Sequence, residues 1–241
     1  MNLSLRLRLM LALAGAVLVP AAQALVVIDD FSSGPAALAM QAHQNPDAVS
    51  TLQEQAGSMA SGIRDWSLLL RGAPASTGRI GIGPAGLVLR AVAGVAHRFD
   101  LYYGGITDHL MHLDLSQEST LRFSFADAPL GVSLVVLLYY RNEFDNYSEI
   151  GMNLPQHDGP FTADFSLADF AAHPANTARG ADLTWVSHIH VITQSGAVTS
   201  FGGEGYRLTS ISAVPEPASA PLWLVGAAGL AALRRLQQCA R

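Results

Sequence analysis

Short runs of alternating apolar and polar residues fill the middle of the chain, separated by glycine, proline, asparagine and aspartate. In residues 121–125 and 161–165 every second side chain is apolar, as in a strand that buries one face and leaves the other in water. Trp66 and Trp185 fall in such runs, where we expect them to be buried or half-buried. The predicted strands are residues 25–31, 63–70, 79–82, 87–92, 95–103, 120–125, 132–140, 147–154, 161–165, 183–193 and 206–214.

Helical signals are few, which makes the predicted fold all-β. Residues 132–140 are apolar at nearly every position and predict a central strand. The alanine-rich residues 36–42 and the polar residues 48–57, with Pro46 between them, predict either a long excursion or one or two short helices. Residues 166–170 predict a single helical turn. Many short strands at this spacing indicate an antiparallel β-sandwich, most simply a jelly roll.

The first 24 residues have the pattern of a cleavable secretory signal peptide. Arg6 and Arg8 give it a positive start, and residues 9–19 form an apolar stretch too short to span a bilayer comfortably. Ala22 and Ala24 supply the small residues that signal peptidase accepts, which predicts a mature chain that begins at Leu25.

The last 28 residues, 214–241, combine a rigid turn, an uncharged apolar stretch and a pair of arginines. The turn is Pro215-Glu216-Pro217, and Arg234 and Arg235 follow the apolar stretch. This order resembles the PEP-CTERM sorting signal, which exosortases recognise in Gram-negative bacteria that make exopolysaccharide. The resemblance implies a short C-terminal transmembrane helix before processing, and signal peptidase and exosortase as processing partners. The expected location is the cell envelope, the cell surface or the extracellular matrix.

Between these ends, residues 25–213 are predicted to form one acidic domain. Residues 25–214 contain nine arginines, no lysine and 18 acidic residues, a formal net charge of −9. Such a domain repels nucleic acid, which is therefore not an expected partner. The only cysteine, Cys239, lies in the tail, so the domain has no disulfide, no cysteine metal site and no cysteine nucleophile.

Three short motifs in the domain resemble jelly-roll domains related to carbohydrate-binding modules, which PEP-CTERM proteins often carry. They are residues 27–31 (Val-Ile-Asp-Asp-Phe), 62–65 (Gly-Ile-Arg-Asp) and 182–186 (Asp-Leu-Thr-Trp-Val). The resemblance implies binding of a polysaccharide. Such domains commonly close with an acidic pair near the last strand, sometimes at a structural calcium. This chain has Thr209 and Ser210 at that place, which argues against calcium there.

Three aspartates are the weak calcium candidates of the domain. Asp29, Asp30 and Asp65 would supply the oxygen ligands that calcium prefers. The favoured alternative is structural, with Asp29 or Asp30 capping a strand end and Asp65 paired to an arginine such as Arg64. No metal or other cofactor is therefore predicted.

His188 and His190 are two residues apart on a predicted strand and so point to one face, a spacing also found in zinc sites. His109 and His112 would join them only if the fold brought these loops together. Because spacing identifies no third ligand, two histidines on a partly wet strand face are the favoured interpretation.

Two predicted strands carry alternating polar and aromatic side chains that would form a ligand face if the strands were neighbours. Sugars bind such faces by stacking on an aromatic ring and by hydrogen bonds to arginine and carboxylates. An ordinary solvated sheet face has the same pattern. The residues of this candidate ligand face are Arg98, Asp100 and Tyr102 on one strand and Tyr147, Glu149 and Asn153 on the other.

The sequence therefore predicts a non-enzymatic, exported surface or extracellular-matrix protein that is sorted by exosortase and binds exopolysaccharide. No nucleophile elbow, phosphate loop or dinucleotide fingerprint is present. One alternative is an extracellular polysaccharide hydrolase that uses Asp100 and Glu149 as acid and nucleophile. The other is a structural surface protein without a ligand.

Overall fold

The computed structural model describes residues 25–32, 37–41, 49–55, 60–71, 77–83, 85–91, 96–104, 111–129, 132–141, 146–172, 180–195 and 203–215. Leu25–Val214 forms one compact unit. Its elements in chain order are β1 (Val26–Asp29), β2 (Ala37–Gln41), β3 (Val49–Gln55), β4 (Ile63–Arg71), β5 (Thr77–Gly83), β6 (Gly86–Ala91), β7 (Ala96–Tyr103), β8 (Glu118–Asp127), β9 (Val132–Tyr140), β10 (Tyr147–Leu154), β11 (Phe161–Ser166), α1 (Leu167–Ala172), β12 (Val186–Ser195) and β13 (Gly203–Pro215).

The strands form two antiparallel sheets. Sheet A has the order β11-β8-β13-β6-β5-β2, and β1 pairs with the end of β13. Sheet B has the order β10-β9-β12-β7-β4-β3. From β6 onward the chain changes sheet at every connection except the one between β9 and β10. This alternation resembles a jelly roll, and it confirms the all-β antiparallel class that the short alternating runs predicted.

The inward faces of the two sheets share one hydrophobic core. In sheet B, Trp66 and Phe99 pack edge to face with ring centroids 5.9 Å apart. Across the core, the hydroxyl groups of Thr193 in sheet B and Tyr206 in sheet A form a 2.8 Å hydrogen bond. This bond satisfies two buried polar groups that would otherwise each destabilise the fold.

All eleven predicted strands are present, and α1 confirms the predicted helical turn. The central strand predicted for residues 132–140 is β9, which has β10 on one side and β12 on the other. The helical interpretation of residues 36–42 and 48–57 is wrong, because β2 and β3 lie there. Alanine and glutamine favour helix locally, but these segments pair along β5 and β4 as the outermost strands of the two sheets.

The predictions for the two ends fall almost entirely outside the described residues. Leu25 and Pro215, the last residue of β13, are described, but the segments beyond them are not. Within the part of the chain that the structure describes, no helix is long and apolar enough to cross a bilayer. The signal cleavage and the sorting signal therefore stay predictions. Their remaining residues are Ala22, Ala24, Glu216, Pro217, Arg234 and Arg235.

Candidate functional site

The outward face of sheet B carries a group of rings that we name the tyrosine face, defined by Tyr102, Tyr139, Tyr147, His188 and His190. Their immediate neighbours in the strands belong to the buried side of the sheet, so alternation directs these five side chains outward. The three tyrosines are partly exposed, whereas the two histidines are nearly buried between them.

One row of the tyrosine face runs across β10, β9 and β12. Tyr147 lies opposite Tyr139, and Tyr139 lies opposite His188. The ring centroids are 5.2 Å apart in the first pair and 6.0 Å apart in the second. Burial lowers the pKa of His188, so this ring is uncharged at neutral pH. The row is therefore a continuous, uncharged aromatic surface.

A second row crosses five strands and mixes charged, apolar and aromatic residues. The opposed residues, from β10 to β4, are Glu149, Leu137, His190, Tyr102 and Asp65. The His190 and Tyr102 rings are stacked, with centroids 3.9 Å apart and planes 19° apart. Burial raises the pKa of Tyr102 to about 12, so its hydroxyl keeps its proton and is a hydrogen-bond donor.

Asp100, which is only 4% exposed, holds side chains of this second row in place. Asp100 accepts hydrogen bonds from Arg98 Nε at 2.9 Å and Arg98 Nη2 at 2.7 Å. It also accepts one from His190 Nε2 at 2.8 Å, and since a carboxylate only accepts, that nitrogen carries the proton. Burial alone would raise the pKa of Asp100, but the bonds from His190 and Arg98 outweigh it and hold the pKa below its ordinary value.

The six residues of the predicted candidate ligand face share one outward sheet face, but their two strands do not lie side by side. The two strands are β7 and β10, and β12 and β9 lie between them. Asp100 is buried and engaged, so it positions Arg98 and His190 and is no open ligand contact. Glu149 and Asn153 on β10 are exposed, and the Arg98 side chain is 43% exposed.

The proposed hydrolase pair does not come together. Asp100 on β7 and Glu149 on β10 are three strand spacings apart, which at about 4.8 Å each is roughly 14 Å. Glycosidase carboxyl pairs lie about 5–9.5 Å apart. In addition, the lowered pKa of Asp100 makes it a poor general acid. The acid and nucleophile assignment to these two residues is therefore wrong.

Trp185 is the largest exposed side chain next to this face. Trp66 is buried at 1%, as predicted, but Trp185 immediately precedes β12 and keeps 40% of its surface exposed. Its ring lies 4.7 Å from that of His112. The sequence signal for this exposure is the preceding polar turn of Asp182 and Thr184, and the predicted strand 183–193 begins three residues before β12 does.

The turn before Trp185 is held by several hydrogen bonds. Asp182 accepts bonds from the backbone and hydroxyl of Thr184 at 3.2 and 2.6 Å, and from Arg141 Nε at 2.9 Å. The Arg141 backbone also donates to the Trp185 carbonyl at 3.4 Å, and Arg141 has a left-handed φ of 59°. A non-glycine residue in that region is strained and persists where its surroundings fix it. The exposed Trp185 indole therefore follows a turn that is held in place by hydrogen bonds.

The aspartates considered for calcium do not form one cluster. Asp29 accepts bonds from Arg64 Nη1 at 2.5 Å and from the Tyr103 hydroxyl at 2.8 Å, both inside the core. Asp65 lies opposite Tyr102 on the outward face of sheet B, and exposed Asp30 bonds Ser32. A guanidinium therefore neutralises Asp29 in the place considered for a cation.

The histidines considered for zinc are also separated. His188 and His190 point to one face, as their spacing predicted, but His190 is bonded to Asp100 and His112 lies against Trp185. His109 lies outside the described residues. Among the residues that the structure describes, no group of three histidine, cysteine or acidic side chains is arranged to hold a metal ion.

No family model and no curated protein matches the chain. Solved structures with a similar arrangement of strands include the family 11 carbohydrate-binding module of a cellulosomal cellulase from Clostridium thermocellum, at 9% identity and a TM-score of 0.40 over 81% of this chain and 96% of that one. The same kind of module in complex with a β-1,3-1,4-mixed-linked tetrasaccharide is 9% identical, with a TM-score of 0.41, over 79% and 95% of the two chains. TmCBM61 in complex with β-1,4-galactotriose is 11% identical, with a TM-score of 0.31, over 78% and 91%. Likenesses this distant carry no information about a ligand.

Proposed function

We propose that this protein is an exported, non-enzymatic surface or matrix protein whose β-sandwich binds polysaccharide on the tyrosine face. The observation that carries the proposal is the buried Asp100 and the side chains it orders around it. A carboxylate taken out of water on the outward face of a sheet costs free energy and contributes nothing to the shared core. Its evident effect is to fix Arg98 and the stacked His190–Tyr102 pair, which is how binding sites are pre-organised.

The exposed parts of the face suit a sugar chain. Tyr147 and Tyr139 on the face, together with the exposed Trp185 just before β12, offer aromatic surface for the apolar side of a pyranose ring. Glu149 and the Arg98 guanidinium lie within the same sheet face and offer hydrogen bonds to hydroxyl groups. The tyrosine face crosses the four strands β10, β9, β12 and β7, which at about 4.8 Å spacing span about 14 Å, a length that accommodates more than one sugar unit.

Alanine substitution of the exposed rings tests this proposal. We expect Tyr147→Ala and Trp185→Ala each to weaken polysaccharide binding by up to about tenfold, because each removes a stacking contact of about 0.5–1.5 kcal/mol. The measurement is a glycan array, followed by calorimetric titration of the best ligand. Tyr147→Phe is the matched control, since it keeps the ring and should retain affinity within about threefold.

Two results would count against the tyrosine face. Absence of binding to every glycan on the array, including the extracellular polysaccharide of the producing organism, would favour the structural protein without a ligand. Binding that survives both alanine substitutions would place the site elsewhere on the protein. The second result would leave polysaccharide binding intact and reject only the assigned surface.

Export and sorting form the other part of the proposal and depend on the two ends of the sequence. We expect the protein recovered from its native envelope to begin at Leu25 and to lack the residues beyond the Pro215-Glu216-Pro217 segment. Intact mass and terminal sequencing measure both ends. In cells without exosortase the C-terminus should remain whole. An unprocessed C-terminus in both strains would mean that the tail is a permanent anchor.

A further inference from the structure

A groove of about 210 Å³ lies on the outward face of sheet A, which faces away from the tyrosine face. We name it the arginine groove and define it by Arg79, Gly81, Gly83, Val88 and Arg90. The residues that alternate with these in β5 and β6 belong to the core, so the five groove residues point outward. Both arginines are exposed.

The two arginines are directly opposed. Arg79 pairs in register with Arg90, and the residue opposite Arg79 on its other side is Ala39, so no acidic residue is its cross-strand partner. Like charges at opposed positions destabilise a sheet. Arg90 makes an interaction within the protein and has Glu204 opposite it in β13. Two arginines thus lie side by side on one face of a domain whose formal net charge is −9.

Two glycines of β5, Gly81 and Gly83, continue the groove along the strand from Arg79. Gly81 lies opposite Val88, one position further along the same face. At Gly83 an added Cβ atom would meet no other atom within 4 Å. A planar ligand group can therefore approach the backbone of this face next to Arg79, whose guanidinium suits a planar anion.

We propose that the arginine groove binds the carboxylate of an acidic sugar unit, at a site separate from the tyrosine face. A guanidinium matches a carboxylate with two parallel hydrogen bonds, and a second guanidinium gives a second pair. The acidic domain disfavours densely charged polymers, so the fitting ligand is a polysaccharide with isolated uronic acid units rather than nucleic acid. The groove adds a selection for acidic sugar units to the stacking contacts of the tyrosine face.

Titration of the full-length protein with a trisaccharide of one galacturonate and two galactose units at low salt tests the groove, with neutral galactotriose as the reference ligand. We expect the uronate to bind at least tenfold more tightly than the neutral trimer, and the difference to shrink as salt rises. Arg79→Gln should weaken uronate binding at least fivefold. Arg122→Gln is the matched control, because Arg122 lies on the same sheet face but is paired with Asp164, and it should leave uronate affinity within twofold.

A second variant blocks the groove without removing charge. Gly83→Val adds a strand-compatible side chain where the structure has open space at the far end of the groove, so it should fold normally and still weaken uronate binding. Tyr147→Ala should keep the uronate affinity, which separates this site from the tyrosine face. Equal affinity for the neutral trimer, or binding unaffected by both Arg79→Gln and Gly83→Val, would overturn the proposal. Inorganic sulfate binding as tightly as the uronate would overturn its sugar part.

Discussion

Replacing Arg64 with leucine is expected to lower the free energy of unfolding by about 3–5 kcal/mol. Arg64 and Asp29 have fully buried side chains and are joined at 2.5 Å. The Arg64 guanidinium also lies 5.1 Å from the centre of the Trp66 ring, a cation–π contact. Without the arginine, Asp29 would be a buried charge supported only by the Tyr103 hydroxyl and the backbone of Phe31. The protein is destabilised because the Asp29 charge stays buried without a counter-charge, rather than because the attraction within the ion pair is lost.

Urea unfolding of Arg64→Leu and of the unaltered protein measures this difference. Arg122→Leu is the control, because it removes a bidentate pair with Asp164 whose side chains are 38% and 39% exposed, and such pairs contribute at most about 1 kcal/mol. The double variant Arg64→Leu, Asp29→Asn should be more stable than Arg64→Leu alone, since it leaves no buried charge. A loss below about 1 kcal/mol for Arg64→Leu would show that Asp29 is hydrated and not truly buried.

The strands could be predicted because their signal is local. Alternation in residues 121–125 predicted β8, and the doubly apolar residues 132–140 predicted the interior strand β9. β2 and β3 were missed because their sequences carry no alternating apolar pattern and depend on the strands beside them. A strand of that kind is specified by its neighbours, and neighbours are not visible in a single sequence.

The candidate site shows the same division between local and distant information. The outward direction of Tyr102 and Tyr147 follows from alternation within each strand. The hydrogen bond between His190 and Asp100 joins residues 90 positions apart, so no spacing rule identifies it. In the sheet, β12 lies beside β7, and its His190 is hydrogen-bonded to Asp100. Asp100 is therefore a buried support of the face and not the open ligand contact that the sequence predicted.

Acid is expected to destabilise the fold well before its carboxylates are protonated, because of His97. This histidine lies on the core side of β7, is 4% exposed, and has its ring centroid 6.4 Å from that of Tyr206 in the opposite sheet. Burial lowers its pKa from 6.5 to about 4. The unfolded chain therefore takes up a proton near pH 6.5, while the folded protein takes one only near pH 4. The free energy of unfolding falls as pH drops through that window, by about 2 kcal/mol at pH 5.

Urea unfolding at pH 7.5 and pH 5.0 isolates this contribution when it is repeated on His97→Leu. The variant should be less sensitive to acid by about 2 kcal/mol, whatever its stability at pH 7.5, because the proton-binding group is gone. His157→Gln removes an exposed histidine and should keep the full acid sensitivity of the unaltered protein. Burial also lowers the pKa of His188, so this histidine contributes to the loss of stability in acid as well. Its contribution remains in His97→Leu, as a weaker dependence of the free energy of unfolding on pH. Identical acid sensitivity with and without His97 would mean that the folded core admits the proton, and that the pairing of His97 with the opposite sheet opens at mildly acidic pH.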